Sequence, residues 1–384
     1  MISFCACLGW DMHNLEGVRA IRGKEGGLDM RFQGRDAARG RRMRKDLGRT
    51  AGAGVALALV LFLMPALLVR QGEFSQELLP QGTLPLHRTP SSVSTASQDR
   101  GRVVRLSRSD GTVEELTMEE YLWGVVAAEM PASFEEEALK AQACAARTYT
   151  VTLQEASSPR HPDAQICDDS GCCQAYLDRA EAEARWGANA ELYSGKIQRA
   201  VEETDGLGVL YNGAPIQAVF FSSAAGRTVG AVEAWGNSVD YLVGVESPEG
   251  EEVPNYHSQV VLTAEEVRTA ALAQYPGADL SGDPSGWFSQ PVENSAGGVA
   301  SVDLGGVTLT GSEVRTLFGL RSASFSVSWD GEAFTFDVTG YGHGVGMSQY
   351  GANAMAREGS DFEEILTWYY TGTEVGELYG AAGE

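Results

Sequence analysis

The chain has 384 residues, with 52 Asp+Glu against 29 Lys+Arg and a formal net charge of −23. The balance is uneven: residues 1–70 hold 12 Lys+Arg and 6 Asp+Glu, and the remainder holds 17 and 46. So acidic a remainder argues against a nucleic-acid partner and for a well-solvated body, and the length allows two domains.

Residues 1–50 form a basic leader. Its first 42 residues, with Cys5 and Cys7, show no periodicity, and Met43 followed by RKDLGR would make a natural start. AGAGVALALVLFLMPALLV, residues 51–69, is uncharged and bounded by Arg49 and Arg70. As a helix it would span roughly 29 Å, about a bilayer core. The basic flank before it keeps the N-terminus cytoplasmic by the positive-inside rule, so the chain beyond is expected outside the membrane. A cleaved signal peptide is the competing reading, because Pro65 interrupts the run. Residues 70–100, rich in Pro, Ser, Thr and Gln, read as a linker.

The folded part opens with two strand-like runs, VVRLSR and TVEEL, separated by the turn signal SDGT. Thr117 and Glu120 form a capping box that starts the helix MEEYLWGVVAAEM. Pro131 disfavours helical geometry at Met130, so the helix ends beside Glu129. Ser133 and Glu136 announce a second helix, FEEEALKAQACAARTYTVTLQEA, with Ala138, Ala141, Ala145 and Tyr149 on one stripe. Glu129 therefore stands at a corner between two helices. Apolar neighbours and the negative end of a helix both raise a carboxyl pKa, which suits a general acid. The alternative is a structural carboxylate paired with Lys140 or Arg147.

His161, Cys167, Cys172 and Cys173 then crowd one short loop. Thiolates with an imidazole suit tetrahedral zinc, while outside the membrane a disulfide such as Cys167 to Cys173 is the rival. Cys144, inside the Ala-rich helix, reads as a small buried side chain. Asn212-Gly213 marks the turn of a hairpin in VLYNGAPIQAVFFSS, which continues into the polar loop SSAAGRT. Trp235, Tyr241 and Trp287 suit saccharide stacking or a core. Residues 256–330 read as a second lobe without obvious chemistry. Near the C-terminus GYGHGVGMSQYGANAMA sets His343 among glycines between a strand and a helix. No register gives G-x-G-x-x-G, so a dinucleotide site is a poor fit, and His343 either meets substrate or is structural. The elements together predict an α+β fold, with mixed helices and small antiparallel sheets forming two lobes around a substrate groove, after an N-terminal transmembrane helix.

EEYLWGVVAAEMP with EALKAQACAARTY, then FFSSAAGRT, then GYGHGVGMSQYGANAMA resemble the motifs of the SpoIID/LytB family in their order. The similarity covers residues 101–375, leaving a tail at 376–384. The resemblance implies a lytic transglycosylase that cuts peptidoglycan glycan strands lacking stem peptides, with Glu129 as acid and base. It places Gln142, Arg147, Ser222, Ser223, His343, Ser348, Gln349 and Tyr350 around the groove. It maps a structural zinc onto His161, Cys167, Cys173 and Cys172, and implies no organic cofactor. It also implies, as partners, a sporulation amidase and a polytopic membrane protein during engulfment, with the protein in the mother-cell membrane facing the forespore. A non-catalytic activator of the amidase is the alternative that the family permits.

Overall fold

The computed structural model describes residues 97–155 and 161–379. The basic leader, the 51–69 segment and the linker up to residue 96 lie outside the described residues. Among those described, no helix is long and apolar enough to cross a membrane.

Strands β1 (Val103–Ser107) and β2 (Val113–Thr117) pair antiparallel across the expected turn, in the register Val103 to Thr117. Thr117 ends β2 and caps helix α1 (Met118–Glu129): its hydroxyl accepts the Glu120 N–H, and the Glu120 carboxylate accepts the Thr117 N–H. This reciprocal cap is the one the sequence predicts. At the other end Met130 takes φ −117° and ψ 144°, the extended geometry that Pro131 requires of its predecessor.

Helix α2 (Glu136–Glu155) starts later than Ser133 suggests. The Glu135 N–H just ahead of it donates to the distant Asn353 Oδ1 at 2.8 Å, a cap from another element. From Ala138 to Val151 nearly every side chain of α2 is buried, far more than the predicted alanine stripe. It is thus a central helix, with α1 and α4 (Ala190–Glu203) against it. Strand β3 (Ile166–Cys167) adds to β1 in parallel, and helix α3 (Arg179–Trp186) follows it.

Strands β4 (Leu207–Tyr211) and β5 (Ala214–Pro215) turn at Asn212 and Gly213, both with positive φ. The second arm is shorter than expected: the Ile216 N–H still donates to the Val209 carbonyl at 3.2 Å, but the Val209 N–H turns away to Thr148 Oγ1 at 2.9 Å. The chain reforms a strand only at β6 (Phe220–Phe221), followed by the short helix α5 (Ala231–Trp235).

A second hydrophobic cluster follows, drawn from residues 260–338 and centred on Trp287, Phe318, Phe334 and Phe336. It is built from β7 (His257–Thr263), α6 (Ala264–Gln274), β8 (Val292–Glu293), β9 (Val299–Leu304), β10 (Val307–Thr310), α7 (Gly311–Phe318), β11 (Phe325–Trp329) and β12 (Ala333–Thr339). Its sheets run in the orders β10-β9-β8 and β11-β12-β7. Trp287 stacks on Phe334 inside this core and is not offered to a ligand.

After β12 the glycine-rich loop leads to β13 (Met347–Ser348), helices α8 (Gln349–Arg357) and α9 (Phe362–Tyr369), and β14 (Glu374–Glu377). β13 pairs in parallel with β6, matching Ser348 to Phe221, and β14 closes on β4. The fold is α+β as expected, but the β1–β3 and β6–β13 pairs are parallel, so the sheets are not all antiparallel. Gly346 has φ +76°, and a Cβ there would overlap the Val219 carbonyl oxygen, so only glycine lets β13 approach β6.

The folded body extends into the expected linker and tail. Asp205 accepts from Ser97 Oγ (2.8 Å), Gln98 N (2.8 Å) and Asp99 N (2.9 Å), while Tyr379 is buried and donates to Asp99 at 3.0 Å.

Candidate active site

Glu129 is the last residue of α1 and is 2% exposed. Its Oε1 accepts the Ala175 N–H at 2.8 Å and its Oε2 accepts from Gln349 Nε2 at 3.5 Å. Gln349 opens α8, and its amide also reaches Gln142 Oε1 on α2 at 3.4 Å. The ends of α1 and α8 and the segment after the cysteines thus meet on one carboxyl, and Gln349 links it to α2.

The cationic partners that would have made Glu129 a structural carboxylate are engaged elsewhere. Lys140 pairs with Glu137 and Glu203, and Arg147 pairs with Asp99; among the described residues no salt bridge to Glu129 forms. Burial raises the Glu129 carboxyl from an ordinary 4.5 to about 7, against the opposing effect of the Ala175 and Gln349 hydrogen bonds. Desolvation therefore outweighs two donors, and the negative end of α1 acts in the same direction. A carboxyl so placed exchanges its proton near neutrality, where acid and base roles are both open to it.

Gln142 is fully buried, and its Nε2 has no hydrogen-bond partner among the described residues. An orphaned donor beside a protonatable carboxyl is an expense in a folded core unless something polar comes to it.

Ser222, Ser223, Ser348, Gln349 and Tyr350 are brought together by the β6–β13 pairing. The Ser222 carbonyl accepts the Tyr350 N–H (3.0 Å) and Ser348 Oγ (3.3 Å), while Ser223 exchanges backbone bonds with Tyr341 at 2.8 and 3.0 Å. Ser348 caps α8 by accepting the Gly351 N–H at 3.2 Å, and donates to the buried Glu249. Tyr350 is half-buried, its ring edge-on to Phe134.

His343 spends both ring nitrogens locally. Nε2 donates to the Phe220 carbonyl at 3.1 Å and Nδ1 accepts the Val345 N–H at 3.2 Å. The ring lies beside Phe221 and Trp235, and burial followed by the charge of Arg315 pushes its pKa down to about 3. It is a neutral brace between the glycine loop and β6. Arg147 lies in a different place again: its buried guanidinium forks onto Asp99 (2.7–3.1 Å) and donates to the Leu207 carbonyl at 2.8 Å, fastening residue 99 to α2 and β4.

Sequence reasoning missed Ala175, Glu249 and Asp99. Ala175 acts through a backbone N–H and Asp99 sits in a linker-like composition. Glu249 belongs to an acidic loop whose burial no local pattern shows. It accepts from Ala224 N (2.6 Å) and Ser247 Oγ (2.5 Å) as well as Ser348, and joins three segments behind the site. A Cβ at Gly351 would collide with Tyr369, Ser247 and Glu249, so glycine is required there.

The four loop residues expected as ligands are also gathered. One donor atom from each of His161, Cys167, Cys172 and Cys173 lies within 4.8 Å of the others. His161 Nε2 is 3.4 Å from Cys172 Sγ and 3.5 Å from Cys173 Sγ, and the two sulfurs are 3.9 Å apart. Tetrahedral zinc, with Zn–S about 2.3 Å and Zn–N about 2.0–2.1 Å, would set S···N edges near 3.5 Å and S···S edges near 3.8 Å. The adjacent thiols both fit. Among the described residues no disulfide joins Cys144, Cys167, Cys172 or Cys173.

Comparison with known proteins agrees with these motifs. The SpoIID family profile, described as stage II sporulation protein, matches residues 107–211. Stage II sporulation protein D of Bacillus subtilis (strain 168) is 40% identical over 267 residues, covering 69% of this chain and 76% of that protein. This chain belongs to the stage II sporulation protein D family. A second protein of that name, from Bacillus amyloliquefaciens, is 37% identical over 270 residues, 70% of this chain and 77% of its own length. The amidase enhancer of Bacillus subtilis (strain 168) is 30% identical over 304 residues, 66% of this chain but 40% of that protein. The family profile runs from the end of β1 to the end of β4, so it includes Glu129, Gln142 and the cysteine loop.

Proposed function

We propose that this chain is a lytic transglycosylase that cleaves peptidoglycan glycan strands without stem peptides and leaves 1,6-anhydro-muramyl ends. The observation that carries this reading is a buried carboxyl at about 7, held by two N–H donors and, among the described residues, by no salt bridge. As an acid, Glu129 gives its proton to the glycosidic oxygen as the C1–O bond breaks. The resulting carboxylate, still accepting from Ala175 and Gln349, then takes the proton of the muramic acid 6-hydroxyl while that oxygen closes on C1. One carboxyl serves both steps because the nucleophile belongs to the substrate; a hydrolase would ordinarily need a second. At 2% exposure, Glu129 meets a glycan only as its surroundings give way on binding. The orphaned Gln142 Nε2 would then find an acceptor on the sugar, with Gln349 and Tyr350 beside it, on the frame formed by Ser222, Ser223, Ser348 and His343.

The same reading gives His161, Cys167, Cys172 and Cys173 a structural zinc, which holds the loop and takes no part in proton transfer. No organic cofactor is needed. Residues 51–69 anchor the protein in the mother-cell membrane with the folded part facing the forespore, beside a cell-wall amidase and a polytopic membrane protein.

A second reading, that the chain binds glycan and activates an amidase without cutting, is favoured by its likeness to a protein named amidase enhancer. Product analysis separates the two. The full chain incubated with denuded glycan strands should release fragments ending in anhydro-muramic acid by mass spectrometry. Reducing ends would indicate hydrolysis, and intact strands would leave the activator reading.

A further inference from the structure

The cysteine loop and Glu129 are connected by a very short piece of backbone. The N–H groups of Cys172 and Cys173 both donate to the Asp169 carbonyl, at 3.0 and 2.8 Å, in a turn that presents both thiols to His161 Nε2. The chain goes straight on to Gln174, whose buried amide donates to Tyr121 Oη on α1 (3.1 Å) and Thr150 Oγ1 on α2 (3.0 Å). Ala175 comes next, with its N–H on Glu129 Oε1. Tyr176 then lies where a side chain on Gly124 would be, stacks on Tyr121, and is followed by the Leu177 N–H on the Gly124 carbonyl at 3.2 Å. Arg108, just after β1, reaches Asp168 beside one thiol (3.5 Å) and Asp178 just past the segment (2.6 Å).

The segment is thus clamped on α1 at its far end and on the thiol cluster at its near end, with the Ala175 N–H between. Three thiols and an imidazole hold one another weakly, since S–H is a poor donor and thiolates repel. A cation among them turns that end rigid, because binding energy at a structural site is folding energy.

We propose that the His161–Cys167–Cys172–Cys173 site is a positioning device for Glu129: zinc bound there fixes the Cys173–Ala175 backbone and so holds the Ala175 N–H on the carboxyl. Ala175 is a positioning residue, two residues from a ligand, and its amide stabilises the ionised carboxylate. The inference rests on the proposed function for what Glu129 does, and on this chain's own residues for how it is held.

The test is hydrogen exchange, resolved to the Ala175 amide, on the full chain with zinc bound and after its removal by a chelator. Amides of β7 and β12 in the second cluster serve as controls for the fold. Zinc removal should speed exchange at Ala175 by about tenfold or more with β7 and β12 unchanged. It should also move the alkaline limb of the pH–activity profile upward, since the lost N–H favoured the charged form. Unchanged exchange at Ala175 after verified zinc loss overturns the proposal. Should removal open β7 and β12 as well, zinc-loaded wild type is compared with zinc-loaded Cys172→Ser, in which Ala175 should exchange faster; equal rates overturn it. Loss of activity in Glu129→Gln with Ala175 indifferent to zinc would defeat this inference alone. Retained activity in Glu129→Gln would defeat the proposed function and leave the coupling standing.

Discussion

Replacing Glu129 by glutamine should stabilise the protein at alkaline pH and not at acid pH. In the folded chain the carboxyl titrates at about 7, against 4.5 ordinarily. The folded state therefore holds the proton more tightly than the unfolded state. Stability from this group is full below the unfolded value and is lost as pH rises through the folded one. Two and a half units at 1.36 kcal/mol each make the loss roughly 3 kcal/mol by about pH 8. Glutamine keeps the shape and an oxygen for the Ala175 N–H but carries no charge to desolvate. The stability difference between variant and wild type should therefore grow by about 3 kcal/mol between pH 4 and pH 8, or roughly 6–12 °C in Tm for a body of this size. Urea unfolding of both proteins at the two pH values, with zinc held constant, measures it, and other titrating groups cancel in the difference. A pH-independent difference, or one that favours the wild type more as pH rises, would mean that Glu129 is an ordinary or paired carboxylate and no acid near neutrality.

Two further substitutions check how the site is framed. Arg147→Ala leaves Asp99 buried without its ion pair and should cost about 3–5 kcal/mol in urea unfolding. Activity per folded molecule should persist, since Arg147 does not reach Glu129; selective loss of activity with stability intact would return Arg147 to the groove. Gly346→Ala sets a Cβ on the Val219 carbonyl at a positive φ and should destabilise by more than about 2 kcal/mol, with β6–β13 amides exchanging first. A neutral outcome would show that β13 does not approach β6 as described.

The corner that carries Glu129 was legible because each of its signals is local. The Thr117–Glu120 cap and Pro131 each act within four residues, and Asn212-Gly213 needs only its own φ angles. The gathering of His161 with the three cysteines was visible as composition, although spacing alone left metal and disulfide both open. What the sequence left hidden acts over distance or through the backbone. β6 pairs with a strand more than 120 residues away, and Asn353 caps the approach to α2 from another helix. The Ala175 N–H has no side-chain signature, so nothing marks it as the shortest bond to Glu129. Arg147 and His343 lie within motif stretches, but burial gives them bracing contacts: a guanidinium locked on Asp99, and an imidazole with both nitrogens on backbone.

In the proposed reaction one carboxyl performs both proton transfers. The direct measurement is the rate of anhydro-muramyl end formation on denuded glycan strands by full-length wild type and Glu129→Gln, at equal folded concentration and zinc content. The rate should fall by about 10²–10⁴ in the variant, the usual worth of a general acid–base group, with glycan binding retained. Anhydro ends formed by Glu129→Gln at the wild-type rate would contradict it.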